Sequence, residues 1–363
     1  MKAEMDIDRI LNKAEKRITL KSEEIVFLLS LSDEPGINKL FAAARRLRGL
    51  YFENKIYLYG FIYFSTFCRN DCNFCYYRVS NNLPPRYRKS KSEIIDTSEK
   101  LAASGVHLLD LTMGEDPVYM CPGGYEKLAE IIAAVKSHTA LPVMISPGVV
   151  PHNKLLLLKQ AGADWYACYQ ETHNRKLFKR LRVNQSFEVR MQAKILAKEA
   201  GFLLEEGLLT GVGDRPEDIA YSLARINSLQ ADQVRIMSFV PQRGTPLSNI
   251  RSLNNLLELK TIAVMRLVFP DCLVPASLDV EGITGLKRRL EAGANVVTSL
   301  IQPSEGLVGV SQCTLNVDDG CRTVKGVVPL LQECGLVPAA LPEYRAFMKS
   351  RLRYETAGKV KVK

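Results

Sequence analysis

Three cysteines fall within eight residues, Cys68, Cys72 and Cys75, in the run C-R-N-D-C-N-F-C. Thiols so crowded favour metal over a disulfide in a reducing compartment, and the spacing C-x3-C-x2-C brings three of them to one loop. A structural zinc site wants four ligands, so its fourth would have to come from far along the chain. Three thiolates can instead hold three irons of a [4Fe-4S] cluster and leave one iron open to an exogenous ligand. The other six cysteines (Cys121, Cys168, Cys272, Cys313, Cys321 and Cys334) are scattered, and an odd total of nine is not a disulfide framework. The spacing of Cys313, Cys321 and Cys334 matches no second cluster, and they read as isolated buried thiols.

The elements that must position this loop repeat one unit. From about Lys55 onward a short apolar run, a loop and a helical period follow one another eight times. The runs Ile56 to Phe64, Val106 to Thr112, Pro142 to Ser146, Trp165 to Tyr169, Glu205 to Thr210, Gln233 to Phe239, Leu273 to Ala276 and Val296 to Leu300 read as parallel strands buried on both faces. Helices are expected over Ser92 to Ala103, Tyr125 to Lys136, Lys154 to Gln160, Glu188 to Ala200, Pro216 to Ser228, Leu253 to Leu267, Gly285 to Glu291 and Thr323 to Glu333. Ser92 is the expected N-cap of the first, and Pro216 suits a first helical position. Eight units in about 280 residues predict an α/β chain of the (β/α)8 TIM-type barrel class, with a doubly wound sheet as the alternative. Cys68 then follows the first strand, at the face where βα loops build active sites. Three further helices, Asp6 to Lys16, Ser22 to Leu31 and Pro35 to Arg48, form an N-terminal helical extension over 1–54, expected to cap the closed end of a barrel over 55–340.

With Phe74 just before the last cysteine, the loop resembles the signature of the radical S-adenosylmethionine (SAM) enzymes. Met113-Gly114-Glu115-Asp116 is similar to that superfamily's G-G-E segment, which receives the methionine amino group, with Met113 in place of the first glycine. The resemblance narrows along nearly the whole chain. Asp110-Leu-Thr-Met-Gly-Glu-Asp-Pro, Met144-Ile-Ser-Pro-Gly, Tyr169-Gln-Glu-Thr, Lys179-Arg-Leu-Arg-Val, Phe239-Val-Pro-Gln-Arg-Gly-Thr-Pro and Pro275-Ala-Ser-Leu-Asp-Val-Glu-Gly all look like the methylornithine synthases, near relatives of biotin synthase and of the radical maturase of [FeFe]-hydrogenase. The resemblance implies a [4Fe-4S] cluster, SAM and a low-potential electron donor of the flavodoxin or ferredoxin type. It also implies the first step of pyrrolysine biosynthesis, in which a 5′-deoxyadenosyl radical takes a hydrogen from L-lysine, the skeleton fragments, and the pieces recombine as (3R)-3-methyl-D-ornithine.

Lysine carries one carboxylate and two ammonium groups, so a closed site needs roughly one cation and two anions. Arg235, inside the apolar V-R-I-M-S, is the expected carboxylate grip, with a fork suited to bidentate pairing. Asp110 and Asp279 are expected to take the ammonium groups, with Ser277 hydrogen bonding beside them. For SAM, Ser146, Gln170 and Glu171 at strand ends are candidates for the ribose, Arg182 and Arg190 for the carboxylate, and Tyr77 for the adenine. No general base stands out, and His107, His138, His152 and His173 read as structural or exposed.

Composition narrows the rest: 363 residues, 47% hydrophobic and 24% charged, exclude a disordered chain and leave room for a large core. No run approaches 18 uncharged apolar residues, and Met1 to Lys21 shows no signal-type stretch, so a soluble, cytoplasmic chain with no membrane contact is expected. The net charge is +10, 49 cations minus 39 anions. Arg345 to Lys363, most of a basic C-terminal tail over 341–363, holds seven cations against Glu355; this stretch supplies +6 and the other 344 residues only +4. Such a tail reads as a frayed terminus, and no nucleic-acid partner is expected. A zinc-stabilised RNA-binding protein is the competing reading from another class.

Overall fold

The computed structural model describes residues 5–250, 255–303 and 319–359. Eight parallel strands run as β1 (Lys55–Ser65), β2 (Leu108–Met113), β3 (Val143–Ser146), β4 (Trp165–Ala167), β5 (Leu203–Thr210), β6 (Gln233–Ser238), β7 (Pro275–Ser277) and β8 (Val296–Leu300). They pair in the order β6-β5-β4-β3-β2-β1-β8-β7, and a single bridge between Gln233 and Leu273 joins the two ends. The result is a nearly closed (β/α)8 barrel, as the eightfold pattern predicts.

Alternation along β1 shows how the barrel is filled. Ile56, Leu58, Ile62 and Phe64 face the helices, while Tyr57, Tyr59, Phe61 and Tyr63 form a second core in the lumen with Leu108, Met144, Trp165 and Leu203. The surrounding helices are α4 (Lys91–Ala103), α5 (Gly124–Thr139), α6 (His152–Gln160), α7 (Arg175–Leu181), α8 (Phe187–Glu199), α9 (Pro216–Leu229), α10 (Leu256–Val268), α11 (Leu286–Glu291) and α12 (Val324–Glu333). Ser90, not Ser92, caps α4: its hydroxyl accepts from the Glu93 amide while the Glu93 carboxylate accepts from the Ser90 amide, a capping box that starts the helix one residue early. The short α7 escapes sequence reading because seven residues carry too little periodicity.

Two other expectations are corrected at the ends of the chain. Helices α1 (Ile7–Glu15), α2 (Ser22–Ser30) and α3 (Glu34–Phe52) pack on the barrel flank against α9, α10 and α11, instead of capping the closed end. There Arg48 donates to the carbonyls of Leu290 and Ala294 at 2.6 and 3.2 Å. The closed end is instead plugged by the basic C-terminal segment, which forms α13 (Leu341–Lys359). Tyr344 is fully buried with its hydroxyl 2.8 Å from that of Tyr59, which donates to Gln233 at 3.0 Å. Arg351 bridges Asp232 and Asp271 at 2.8 and 3.0 Å. A short β9 (Val337–Pro338) pairs with β1, and His107 clamps the junction: its Nδ1 accepts from the Leu58 amide and its Nε2 donates to the Ala339 carbonyl, both at 2.8 Å.

This plug carries a prediction. Tyr344→Ala removes a fully buried ring and is expected to cost about 4 kcal/mol in chemical denaturation, against about 1 kcal/mol for Tyr344→Phe, which loses only a hydrogen bond.

Candidate active site

The segment between β1 and α4 carries the three cysteines and folds back on β1, with Thr66 N–H bonded to Tyr87 O and Lys89 N–H to Phe64 O. Its shape is held by Arg86, a residue sequence reading missed, whose guanidinium donates to four carbonyls, those of Thr66, Tyr77, Arg78 and Asn81, at 2.5 to 3.0 Å. The loop is tied to its neighbours by Arg69 N–H to Glu115 O and by Asn73, which donates to Leu181 O and Arg180 O at 2.8 and 2.7 Å.

All three thiols line one cavity of about 240 Å³ at the C-terminal mouth of the barrel. Two of the sulfurs already face hydrogen-bond donors. Asn70 N–H lies 3.4 Å from Cys68 Sγ, and Gln185 Nε2 and Arg182 Nη1 lie 3.0 and 3.6 Å from Cys72 Sγ. Burial, with the neighbouring Cys72 and Cys68, pushes the Cys75 thiol up. Among the described residues no three His, Cys, Asp or Glu side chains converge closely enough to hold one metal ion. Cys168, Glu115 and Glu171 line the same cavity, yet among the described residues no three such side chains converge on one point. Three thiols spread around one space, with amide and guanidinium donors facing them, fit a cuboidal cluster with one open iron better than zinc.

The wall opposite is the end of β2. A Cβ on Gly114 would lie 2.7 Å from Phe67 O and 2.8 Å from Cys68 Cβ, so only glycine lets the β2 end pass this close to the cysteine loop. Glu115 faces the same space, accepting from Val149 N–H at 3.2 Å and from Arg69 at 3.0 Å. Gly148 closes over it at φ +79°, and a Cβ there would stand 2.3 Å from Glu115 Cγ. Gly148→Ala is therefore expected to displace Glu115 and weaken SAM binding about tenfold, measured by equilibrium dialysis on the cluster-loaded protein.

On the third side Arg182 pairs with Glu171 at 2.6 Å, and Arg190 donates to Tyr169 O at 2.7 Å while facing Glu115 at 3.6 Å. Burial raises the Glu171 carboxyl, which the arginine opposes. Arg182 Nε and Arg190 Nη1 are buried and have no hydrogen-bond partner among the described residues. Both arginines line the cavity, so two donors stand ready for a carboxylate. Met113, Gly114, Glu115, Ser146, Glu171, Arg182 and Arg190 thus meet around the cysteines.

Three cofactor candidates do not join them. Asp116 is turned to Arg88 and Ser65, at 2.6 and 2.5 Å. Gln170 points behind β4 to Lys194, which also pairs with Glu206. Tyr77 is buried in the loop beneath Arg86.

The substrate candidates lie in the lumen below the cavity, behind Thr112, Ser146 and Tyr169, which do line it. Asp110 Oδ1 accepts from Thr112 and Ser146 at 2.9 and 3.1 Å, whereas its Oδ2 has no partner among the described residues. Burial first, then the charge of Glu205, pushes the Asp110 carboxyl up to about 7. Arg235 donates through Nε to Glu205 at 2.6 Å and through Nη1 to Thr298 at 3.2 Å, leaving a buried Nη2 unpartnered among the described residues. Asp279 accepts from Tyr63, Ser299 and Arg322 at 2.9, 2.7 and 2.6 Å, and Ser277 Oγ accepts the Asp279 amide at 3.2 Å. Glu205, Thr298, Ser299 and Arg322 are members of this layer that sequence reading missed.

Of the histidines, His107 and His173 are buried, and burial lowers the pKa of both. Cys321 and Cys334 are free thiols, Cys313 lies outside the described residues, and among the described residues no helix is long and apolar enough to cross a membrane.

Comparison with known proteins agrees with this geometry. Residues 62–224 match the model of the Radical SAM superfamily. The 3-methylornithine synthase of Methanosarcina acetivorans is 43% identical over 95% of this chain and 97% of its own length. The [FeFe] hydrogenase maturase subunit HydE of Thermotoga maritima is 31% identical over 81% of this chain and 84% of its own. A crystal structure of methylornithine synthase (PylB) superposes with a TM-score of 0.88 at 43% identity, covering 93% of this chain and 99% of that one. With that identity over almost the whole of both chains, and a site built for a three-cysteine cluster, the chain belongs to the 3-methylornithine synthases of the radical SAM superfamily.

Proposed function

We propose that the charged layer below the cavity binds L-lysine and that the chain rearranges it to (3R)-3-methyl-D-ornithine, the first step of pyrrolysine biosynthesis. The observation that carries this reading is a pair of buried, unpartnered atoms of opposite charge, Arg235 Nη2 and Asp110 Oδ2. Asp279 and Arg322 cancel each other's charge, and Glu205 cancels that of Arg235. An ionised Asp110 then leaves the layer at −1, and lysine, with one carboxylate and two ammonium groups, brings +1. Burying the substrate therefore completes the charge balance instead of stranding an ion.

In this reading Arg235 Nη2 grips the carboxylate, Asp110 Oδ2 takes one ammonium group, and Asp279 with Ser277 faces the other. When bound, the cluster and SAM supply a 5′-deoxyadenosyl radical that removes a hydrogen from the substrate. Arg182 and Arg190 take the methionine carboxylate, Glu115 stands at the methionine amino group, and Ser146 and Glu171 take the ribose. The skeleton of lysine breaks and rejoins at a different carbon, so the chain's task is to hold both fragments at fixed separation. Tyr59, Phe61 and Tyr63 wall the lumen against water, which protects reactive fragments from side reactions.

Asp110 gives the test. In the free protein its raised carboxyl binds more protons than the unfolded chain between about pH 4 and 7, so its contribution to stability falls as pH rises through that window. A lysine ammonium group at Oδ2 pulls the equilibrium back to the anion. Lysine binding at pH 7 is thus expected to release about half a proton, read by titration calorimetry in buffers of different ionisation enthalpy. Asp110→Asn is expected to abolish the release and weaken binding about a hundredfold. Equal proton release in that variant would remove Asp110 from the lysine site.

A further inference from the structure

The strand that leads to Tyr169 and Glu171 does not run straight into the cavity. β4 pairs with β5 through Ala167 and Glu205, and the ladder resumes with a bridge between Glu171 and Leu208. Four steps on the β4 side thus face three on the β5 side, so one residue is extra and the chain bulges. Glu171 leaves the bulge at φ +68°, a conformation that a side chain makes costly and that only surrounding contacts can hold. Those contacts lie behind the sheet. Glu206, which β5 turns away from the lumen, accepts from the amides of Gln170 and Gly207 through Oε1, both at 2.8 Å. Its Oε2 pairs with Lys194 of α8, and the Lys194 ammonium donates to the Gln170 side chain at 2.9 Å. Both ions are fully buried, and the imidazole of His173 lies 3.8 Å from Glu206 with no hydrogen-bond partner among the described residues.

A buried ion pair is a poor source of stability, because the desolvation of both charges cancels most of their attraction. The work of this pair is local. It supplies the acceptor that the bulge denies the Gln170 amide, and so fixes the peptide units on either side. On one side the Tyr169 carbonyl accepts from Arg182 and Arg190 at 2.9 and 2.7 Å, and on the other the Glu171 carboxylate accepts from Arg182 at 2.6 Å. We propose that Glu206 is a positioning residue for SAM: from behind the barrel it fixes the β4 bulge whose Tyr169 carbonyl and Glu171 carboxylate aim Arg182 and Arg190 at the methionine carboxylate. The inference rests on reading those two arginines as the partners of that carboxylate. Neither Glu206 nor Lys194 lines the cavity, so their effect on a ligand there passes through the bulge.

The test compares two double variants of the full cluster-loaded chain, neither of which buries a lone charge. Lys194→Met with Glu206→Gln keeps an oxygen for the Gln170 amide, and Lys194→Met with Glu206→Leu removes it at similar volume. Equilibrium dialysis measures the binding of SAM and of decarboxylated SAM, which lacks the carboxylate but keeps the amine, the sulfonium and the nucleoside. The leucine variant is expected to bind SAM about tenfold more weakly than the glutamine variant, with decarboxylated SAM within about twofold in both. A merely structural role would weaken both ligands alike, and that result, or equal SAM affinity in the two variants, overturns the proposal. Should the leucine variant not fold, Glu206→Asp keeps the charge beside Lys194 and shortens the reach to the amide. The same selective loss is expected there, and unchanged SAM affinity overturns the proposal. Arg182→Gln checks the reading beneath it. Unchanged SAM affinity in that variant would refute the carboxylate assignment itself, whereas a loss there with none in the Glu206 variants would refute the clamp alone.

Discussion

Cys72→Ala is expected to abolish turnover, by more than about a thousandfold, because the radical that starts the reaction depends on the cluster this thiol is proposed to hold. Cys72 is the most buried of the three thiols, at 6% exposure, and the one that Gln185 and Arg182 both face. Removing it leaves two ligands for a group that needs three, so the visible iron–sulfur absorption should vanish after reconstitution, along with deoxyadenosine formation. The fold should survive, since the loop is held by Arg86 and Asn73 and not by its sulfurs. A Cys72→Ala protein that retained both absorption and deoxyadenosine formation would mean the cluster is held elsewhere.

Arg235→Lys should fail at a different step. Lysine in that position keeps the charge opposite Glu205 but loses the planar fork, so the contact from Nη2 disappears. The kcat/KM for substrate is expected to fall about a hundredfold or more, with the cluster intact and SAM affinity unchanged. Arg235→Ala is harsher: it strands Glu205 in a dry lumen and is expected to cost about 3–5 kcal/mol in stability as well. Substrate kinetics beside SAM binding and denaturation separate the two effects. Unchanged kcat/KM in the lysine variant would take Arg235 out of the site.

The cluster loop was legible because its chemistry is local: three thiols in eight residues need no tertiary information. The strands were legible because burial on both faces leaves a nearly continuous apolar run, and the glycine at 114 marks a close approach that the Cβ contacts explain. The lumen charges were only half legible. Adjacent Glu205 and Glu206 sit in an otherwise apolar strand, and the alternation of β5 sends the first to Arg235 and the second to Lys194. Two acids in a buried strand were the available signal. Arg322 offered none, because its pairing with Asp279 joins positions 43 residues apart.

Asp116 misled for a related reason. It follows Gly114 and Glu115 directly, yet Arg88 and Ser65 claim its carboxylate from another segment. At the C-terminus the charge count hid a stripe of Tyr344, Phe347 and Met348 at helical spacing, which the lumen aromatics Tyr57 and Tyr59 receive. Periodicity shows that a helix has a buried face, but not which surface covers it. For that reason α1 to α3 were legible as helices and misplaced on the barrel.

Whether this chain rearranges lysine is decided by one anaerobic assay. The reconstituted protein is incubated with dithionite, SAM and L-lysine, and the products are separated by liquid chromatography and mass spectrometry. A new compound of the same mass as lysine with a different retention is expected, dependent on both SAM and the reductant. Deoxyadenosine or methionine formed without any isomer of lysine would contradict the assignment of the substrate while leaving the radical chemistry in place.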